Sequence, residues 1–458
     1  MHAPLSEIPL YPPHVAPSAK PLRFPVNIAK LLVNNLKIIP EQAYHEPVVI
    51  SPGPPRVAFF TGTDAVKTLL FERAADFPKG ALQRNTLKPM LGNAMISCEG
   101  REWRWQRSAA APLFRYDELL RYGPIFADAA QNTIARWRAA VPGTVHPIHS
   151  DMLGAGFHVI SNTMLAGGAP ELLQAIAKGQ AGYYEAANWR VAYTILNLPH
   201  WLPRPGKRIM QAHEKRLRDA VSELVRARRA RTADGDDLLG RLVRASDPET
   251  GQSMSDELVA DNIIAFLLAG NDTMSFSLIW TLYLVAQSPE WEARMLQEID
   301  EVVGAGPVTA EHVAKLVTVQ QVLNESMRLY PTAPIIVRDL PEDVDFHGVK
   351  VPAGTIGVIP IYAIQRHRDY WEDPHRFDPG RFAPDRPKPG RFQFLPFGAG
   401  PRICIGAAFA MIEGTIMLAE FVRAARFAVE PGFDPQPSAR MFLLPRYGMP
   451  LRVTMRDG

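Results

Sequence analysis

Cysteine is scarce in this chain: its 458 residues include two, Cys98 and Cys404. Two cysteines cannot build the framework of bridges that stabilises small secreted proteins, so we expect no disulfides and a reduced, cytoplasmic setting. The lack of a cysteine cluster or nearby histidine pair also excludes a four-ligand zinc site and an iron–sulfur cluster. Cysteine chemistry must therefore join one thiol to a group that is not cysteine.

Long apolar runs are missing as well, although a membrane-spanning helix needs about 20 predominantly apolar residues. The most apolar early stretch, residues 26–39, is interrupted by Lys30, Asn34, Asn35 and Lys37. No targeting signal precedes it. We expect no membrane anchor.

Charge of one sign is not in excess, with 50 Lys and Arg against 47 Asp and Glu. No basic tract suggests a nucleic-acid partner. The chain has neither repeats nor a Gly/Ser linker, so residues 1–458 are predicted to form a single domain. Residues 1–40, with prolines at 4, 9, 12, 13 and 17, are predicted to be an arm that wraps a surface and builds no core.

Apolar periodicity predicts a mainly α fold with a small β region. The clearest predicted helices are 125–138, 213–231, 256–287, 290–303 and 407–426. Short strands at a sheet edge are expected within 48–60. Residues 332–397 are rich in proline with short apolar strands such as 355–361, which indicates a long irregular segment held by the rest of the fold.

The predicted helix 256–287 has no Lys or Arg and is expected to be buried on all sides. Ser255 can cap its start, and Ser288-Pro289 ends it. Residues 269–273, Ala-Gly-Asn-Asp-Thr, interrupt its middle with poor helix formers. One interpretation is a kink with a satisfied polar pair. The other is a groove in which a flat ligand approaches the backbone and an acid and an alcohol deliver protons.

Residues 397–406, Phe-Gly-Ala-Gly-Pro-Arg-Ile-Cys-Ile-Gly, carry the strongest signal. Glycines leave backbone N–H groups free to approach the Cys404 sulfur, and the helix that starts at Ala407 directs its positive end towards it. Both effects favour a thiolate, which binds iron. Arg402 is placed to meet a cofactor carboxylate. A buried structural thiol is the alternative, and Cys98, without such a frame, keeps that interpretation.

This segment resembles the haem-binding loop of the cytochrome P450 family, Phe-x-x-Gly-x-Arg-x-Cys-x-Gly, with every defined position matched. Segments similar to other family motifs occur in the family's order, at 103–107, 269–273, 325–328, 338 and 377–382. The resemblance implies the cytochrome P450 fold. Haem b (iron protoporphyrin IX) would lie between the long central helix and the cysteine loop, with Cys404 as the proximal iron ligand.

The resemblance also implies which residues hold the haem. Trp103 and Arg107 match a Trp-x-x-x-Arg pattern and, with Arg338 and Arg402, would bind the propionates. Taken alone, the segment 103–107 favours a solvated amphipathic helix. The other implied cofactor-binding residues are Ala269, Gly270, Phe397, Gly398 and Gly406.

Glu325 and Arg328 share one face of an apolar helix, and a buried pair there needs a further partner. The resemblance implies Arg381 as that partner. The three residues would form a structural triad that holds the meander, a stretch of the Pro-rich segment 332–397, behind the cysteine loop. The family often has Glu where Gly380 stands. A second pair with the same spacing, Glu223 and Arg226, is predicted to be exposed.

The activity implied is that of a haem-thiolate monooxygenase. It would insert one oxygen atom of O2 into a hydrophobic or aromatic substrate, by hydroxylation or by O- or N-dealkylation. Thr273 would hold the oxygen, and Asp272 would relay protons from solvent. A peroxide-driven peroxygenase of the same fold, which typically lacks this pair, and a non-catalytic haem-thiolate sensor are the alternatives. Without haem at Cys404, the fallback is an all-helical structural protein.

No flavin- or nicotinamide-binding segment is present, so electrons are expected from a separate ferredoxin or flavodoxin with its NAD(P)H-dependent reductase. The enzyme is expected to be a monomer. Arginines on and after the Trp103 helix are expected to receive an acidic donor: Arg101, Arg104, Arg115 and Arg121. Family positions near the haem imply an apolar substrate pocket of Ala265, Phe266, Ile335, Ile336, Met441 and Phe442, with Tyr183 and Tyr184 at its entry. For each of these residues, ordinary core packing is the alternative.

Overall fold

The computed structural model describes residues 9–456 except 24, 54, 166–179, 197, 200, 231–236 and 248. Helices dominate this part of the chain. Their bounds are α1 Val26–Val33, α2 Thr63–Lys67, α3 Ala81–Leu91, α4 Gly100–Ala110, α5 Tyr116–Leu120, α6 Gly123–Ala139, α7 Ile148–Met164, α8 Gln180–Ile195, α9 Lys207–Ala230, α10 Leu238–Arg244, α11 Asp256–Val285, α12 Pro289–Val302, α13 Val317–Leu329, α14 Ile361–Ile364 and α15 Ala407–Ala424.

Short strands accompany the helices: β1 Val48–Ser51, β2 Val57–Phe60, β3 Val145–Pro147, β4 Ile336–Asp339, β5 Val344–Phe346, β6 Val349–Val351, β7 Ile356–Ile359, β8 Ala425–Val429, β9 Pro437–Ala439, β10 Leu443–Pro445 and β11 Pro450–Met455. The largest sheet has the order β1-β2-β7-β4, in which β2 and β7 are parallel. A three-stranded sheet has the order β3-β11-β8, and two hairpins complete the β structure. The predicted mainly α fold with a small β region is confirmed.

Helix α11 runs through the middle of the molecule, where it packs on α7, α9 and α13. Its 30 residues span about 45 Å at 1.5 Å per residue. The Ser255 hydroxyl accepts the N–H of Leu258 at 3.2 Å, which confirms the predicted cap. Of the described helices, α11 alone has the length and apolar composition of a membrane span, and most of it is buried inside the protein.

Most of the predicted helices form close to their expected bounds, but α9 begins at Lys207, six residues before the predicted start, and the last helix ends early. Helix α15 ends at Ala424, so Arg426 lies in β8 and not in a helix. Residue 231, the predicted end of α9, lies outside the described residues.

The prediction for residues 1–40 is wrong for the part that is described, 9–40. This segment contains α1 and a 3₁₀ turn at Asn35–Ile38. It contributes buried apolar side chains to the main core: Val15, Leu31, Leu36 and Ile39. Its backbone also joins the core, because the N–H of Val15 donates to the Tyr362 hydroxyl at 2.9 Å. The prolines break the helical periodicity on which the prediction relied, but apolar residues between them still bury their surface.

Candidate active site

A cavity of about 640 Å³ separates α11 from the cysteine loop, residues 397–406. All the residues predicted for the substrate pocket border it: Ala265, Phe266, Ile335, Ile336, Met441 and Phe442. So do Cys404 and the predicted cofactor-binding residues Trp103, Arg107, Ala269, Gly270, Arg338, Phe397, Gly398, Arg402 and Gly406. The fold thus gathers residues from distant parts of the chain around one space.

The path of the cysteine loop depends on two glycines. Gly398 and Gly400 have φ angles of +73° and +74°, in the left-handed region that other residues rarely adopt. Gly400 packs so tightly on the carbonyl of Leu70 that a side chain could not fit. After this turn the N–H of Cys404 donates to the carbonyl of Phe397 at 2.9 Å. The loop is therefore fixed by its backbone, with the cysteine on the cavity wall.

The accessible surface of Cys404 faces this internal cavity. Burial raises the pKa of its thiol, while the backbone N–H of Gly406 and the charge of Arg107 lower it without compensating fully. The N–H of Gly406 therefore favours the thiolate, as expected of the loop, while burial of the sulfur favours the thiol. Metal coordination would supply the missing stabilisation, because a coordinating thiol loses its proton.

On the opposite wall, Thr273 of α11 borders the cavity, and its hydroxyl donates to the carbonyl of Ala269 at 2.7 Å. Asp272 beside it is fully buried and does not border the cavity. The amide of Asn271 donates to the Asp272 carboxylate at 2.8 Å. Because Asp272 is fully buried, a relay of protons from solvent through it would need further groups between its carboxylate and the surface.

Gly270 borders the cavity, but its missing side chain serves helix packing. A Cβ there would overlap Ile160 of α7, and a Cβ on Gly156 of α7 would overlap the Ser275 hydroxyl of α11. The two helices approach closely because each has a glycine facing the other. The missing side chain of Gly270 thus has a packing role, while the predicted groove for a flat ligand stays a prediction. Helix α11 remains continuous through this position.

One end of the cavity is strongly cationic. Arg338 is 5% exposed, and its Nε has no hydrogen-bond partner. Burial lowers the pKa of Arg338 to about 10. Lys79 is also buried and donates to the carbonyls of Met95 and Cys98, each at 2.9 Å. Burial lowers the pKa of Lys79 to about 8.

Arg402 borders the same end of the cavity, but its guanidinium already has partners. Its Nη2 lies 2.5 Å from the carboxylate of Glu99, and its Nη1 donates to the carbonyl of Ala74 at 2.7 Å. Glu99 also accepts the backbone N–H of Lys79 at 2.6 Å. A direct bond from Arg402 to a cofactor carboxylate would have to replace or share these contacts.

Arg107 reaches the cavity from α4. Its guanidinium carbon lies 5.8 Å from the ring centroid of Trp103, a cation–π contact. Burial lowers the pKa of Arg107, and among the described residues no carboxylate pairs with it. This is a second arginine that borders the cavity without a partner of opposite charge.

These charges fit haem. Lys79, Arg338 and Arg402 lie near one carboxylate, Glu99, and Arg107 has none, so positive charge is in excess where two propionates would bind. The orphaned Nε of Arg338 provides a donor for one of them. No group of three or more His, Cys, Asp and Glu side chains in the described part of the chain could hold a metal ion by itself. A metal at Cys404 would therefore arrive within a cofactor.

The predicted triad comes together beside the site. Arg328 and Glu325 are fully buried and bidentate, with Nε–Oε2 and Nη2–Oε1 distances of 2.6 and 2.7 Å. Arg381 lies farther away, with its Nε 3.6 Å from Glu325 Oε1. Arg328 further donates to three meander carbonyls, of Gln365, Pro374 and Arg376. The other pair, Glu223 and Arg226, is exposed, as predicted.

The sequence pattern of the family described as Cytochrome P450 matches residues 33–453. The chain belongs to the cytochrome P450 family. Pentalenene oxygenase of Streptomyces avermitilis is 31% identical to this P450, and the match covers 83% of this chain and 84% of the relative. Cyclooctat-9-en-7-ol 5-monooxygenase of Streptomyces melanosporofaciens is 31% identical, with 85% of this chain and 84% of the relative covered. A cytokinin hydroxylase of Arabidopsis thaliana is 27% identical over 85% and 77%.

Solved structures share the fold of this P450. The haem domain of cytochrome P450DA superposes with a TM-score of 0.81 at 23% identity, over 96% of this chain and 98% of that one. Retinoic acid-bound cyanobacterial CYP120A1 superposes with a TM-score of 0.78 at 24% identity, over 90% of this chain and 92% of that one. The protein is a cytochrome P450 monooxygenase with a haem cofactor.

Several residues at the site of this P450 were not predicted. Lys79 and Glu99 are single charges in segments without a recognised motif. Glu413 of α15 is buried, its Oε1 has no partner, and burial raises its pKa well above the ordinary value, which favours a neutral acid. A Glu inside an apolar helical stretch was a signal that could have identified it.

His213 of α9 also borders the cavity and was not predicted. Tyr183 borders the cavity too, as predicted. The side chain of Tyr184 lies outside the described residues.

The predicted donor surface is smaller than expected. Arg101 is paired with Asp247 and Glu249, and Arg121 lies 3.1 Å from Glu118. Both arginines are therefore neutralised locally. Arg104 and Arg115 are exposed.

Proposed function

We propose that this P450 inserts one oxygen atom of O2 into a largely apolar substrate, by hydroxylation or O- or N-dealkylation, using electrons from a separate protein. The observation that carries the proposal is the cavity itself. It places the thiol of Cys404, unpaired buried cations and the hydroxyl of Thr273 around a space whose other lining is mostly apolar.

The residues that would hold the haem follow from the fit. We propose that the Cys404 thiolate ligates the iron, supported by the N–H of Gly406. Arg338 and Lys79 would take the propionates, and Arg107 would reach them from α4. Haem bound there supplies the reductive activation of dioxygen.

The chain's own part in proton delivery centres on Thr273. Its Oγ1 hydrogen bonds to the carbonyl of Ala269 in the helix, and a rotation about χ1 would turn the proton towards the cavity. Ser277, the next hydroxyl along this wall, is held at 3.0 Å from Thr332 Oγ1. Asp272 would act from inside the protein and not from the surface. The acid–alcohol pair favours the monooxygenase over the peroxide-driven alternative.

The substrate is proposed to be hydrophobic. Phe266, whose ring stacks on Phe114 at 5.7 Å, and Ile335 and Ile336 form part of an apolar lining. Burial of apolar ligand surface would provide most of the binding free energy. The names pentalenene oxygenase and cyclooctat-9-en-7-ol 5-monooxygenase support an organic substrate for this P450.

Electrons are proposed to come from an acidic ferredoxin or flavodoxin that docks beside α4. The segment after α4 lies next to the cysteine loop, because a Cβ on Gly406 would be 3.9 Å from Phe114. Exposed Arg104 and Arg115 give this face positive charge. With both cysteines free of a disulfide, we also propose a cytoplasmic location.

The test is reconstitution of the haem-loaded protein with a surrogate ferredoxin, its reductase and NADPH. A panel of apolar molecules would be screened for a change of haem spin state, and those that bind would be incubated under oxygen-18-labelled O2. We expect one labelled oxygen atom per product molecule. Product formed with hydrogen peroxide but not with the redox partners would establish the peroxygenase instead.

A further inference from the structure

The apolar cavity has one polar feature that its own packing does not explain. His213 of α9 borders the cavity and is 1% exposed. Neither of its ring nitrogens has a hydrogen-bond partner. Among the described residues it is the one buried histidine with both nitrogens unpartnered, and the one histidine that lines the cavity. A buried polar group without a partner is costly, so such a group at a ligand cavity indicates a partner on the ligand.

One ion pair lies near His213, and further cations, Arg204 and Arg216, lie in the same region. Arg190 of α8 lies 2.7 Å from the carboxylate of Glu214 and donates to the carbonyl of Thr86 at 3.2 Å. The ring of Tyr183 packs against the imidazole with centroids 5.7 Å apart. The ring contact holds the imidazole from one side, while the residue borders the cavity and both of its nitrogens have no partner in the protein.

The imidazole is expected to be neutral. Burial lowers the pKa of His213, and the positive charge of Arg216 lowers it further. A neutral imidazole offers one N–H donor and one nitrogen acceptor. It therefore suits a hydroxyl or carbonyl oxygen, whereas a carboxylate would need a cation, and Arg190 is committed to Glu214.

His213 and Cys404 lie on elements that pack on different parts of the fold. Helices α8 and α9 pack on each other, on α3 and on α11, whereas the cysteine loop packs on residues 68–72. A substrate that reaches His213 would therefore be anchored at one end while another part approaches the haem.

We propose that His213 hydrogen-bonds a neutral oxygen, a hydroxyl or carbonyl group, on an otherwise apolar substrate. The inference rests on the proposed function and specifies its substrate class. An anchor of this kind would select among C–H bonds by fixing which part of the molecule lies over the haem.

The test compares farnesene, farnesol and farnesoic acid, which share a carbon skeleton and differ in the terminal group. Each is titrated into the haem-loaded enzyme, and the dissociation constant is taken from the spin-state change. One lost hydrogen bond corresponds to a change of roughly two- to ten-fold in affinity. We expect wild type to bind farnesol tighter than the other two by about this factor.

Variants assign the preference to the side chain. His213→Phe keeps the ring contact with Tyr183 but removes both nitrogens. The affinity for farnesol should therefore fall by the same factor, while the affinity for farnesene stays the same or rises. His213→Gln restores a donor and an acceptor and should recover part of the preference. The control is His149→Phe, a histidine that packs on Phe276 at 5.9 Å outside the cavity lining. It should leave all three constants unchanged.

Three results would overturn the inference: equal losses for farnesol and farnesene in His213→Phe, a preference of wild type for farnesoic acid, or no binding of farnesol. The proposed function has a separate readout. Labelled product from any apolar substrate would support the proposed oxygenation. If the preference for the alcohol then did not depend on His213, the proposed role of His213 as an anchor would be refuted while the oxygenation would not.

Discussion

At the residue scale, the site is built from side chains that the protein leaves incomplete. Arg107 and Arg338 face the cavity without a carboxylate partner in the described chain. Burial of such cations is unfavourable unless an anion arrives, so they make haem binding and folding mutually dependent. The same residues that disfavour the empty cavity would stabilise the loaded one.

The two cysteines give the first prediction. Burial raises the pKa of Cys98 to about 11, and its sulfur does not border the cavity, so it should remain an inert thiol. Cys404→Ser should abolish the red-shifted Soret band of the reduced carbonyl complex, because an alcohol does not replace thiolate ligation. Cys98→Ser is the control and should keep the band. Loss of the band in the Cys98 variant would contradict the assignment.

Proton delivery gives the second prediction. Thr273→Ala should retain haem and substrate binding, but product per NADPH should fall by roughly ten-fold or more as reduced oxygen leaves as peroxide. Thr281→Ala is the matched control on the same helix, since its hydroxyl also donates four residues back, to Ser277 at 2.7 Å, but does not border the cavity. Equal coupling in the two variants would make Thr273 an ordinary helix residue.

Residues within motifs could be predicted from sequence, whereas residues that act through tertiary contacts could not. The Cys404 loop carries its own spacing, so its place on the cavity followed from sequence. The link from Glu99 to Arg402 spans 303 positions, and nothing local to either residue indicates it. His213 has an unremarkable setting in a basic helix, and only the fold shows that it borders a cavity.

At the scale of elements, α13 is joined to the meander by one buried ion pair. Glu325 accepts two bonds from Arg328 and the N–H of Asp378 at 2.9 Å. The guanidinium carbon of Arg328 also lies 5.0 Å from the ring centroid of Trp371. Because every charged atom has a partner, the pair is tolerated in the interior.

Removing one partner should be severe. Arg328→Met leaves the Glu325 carboxylate buried without its cation, and we expect a loss of about 3–5 kcal/mol in the free energy of unfolding. Urea denaturation followed by circular dichroism measures it. The matched control is Arg226→Met in the exposed pair with the same spacing, which should cost less than about 0.5 kcal/mol. Similar losses for both variants would show that the buried pair has no special role.

Most elements with regular periodicity were predicted within about two residues, because apolar spacing reflects which face is buried, although the start of α9 was missed by six. Helix α11 and its cap are the clearest case. The boundary of α15 was missed because Arg426 continues the helical pattern, yet pairing of β8 with β11 takes the backbone from Ala425 onward. Pairing between strands that are distant in sequence overrides local preference.

At the scale of the whole molecule, the proposed docking of an electron donor depends on exposed charge. Only part of the arginine group around α4 would attract an acidic donor, because Arg101 is neutralised by Asp247 and Glu249. Arg104 of α4 and Arg115 after it remain exposed. Long-range steering depends on such uncompensated charge and weakens as salt rises.

Arg104→Glu should therefore slow reduction by an acidic ferredoxin roughly ten-fold at low salt and flatten its salt dependence. The carbonyl spectrum should not change. Stopped-flow reduction at two ionic strengths provides the measurement. Arg208→Glu makes the same charge change on exposed α9 and should leave both rate and salt slope as in wild type. Equal slopes for all three proteins would rule out docking at α4.

The triad has a consequence for how this sequence can change over time. Arg328 holds the meander through main-chain carbonyls, which every amino acid provides. The contact therefore sets no requirement on the side chains at Pro374 and Arg376, whereas the buried side chain of Gln365 makes three hydrogen bonds of its own. Substitutions at 374 and 376 can accumulate while the backbone path and its contact with Arg328 persist, but Gln365 is constrained.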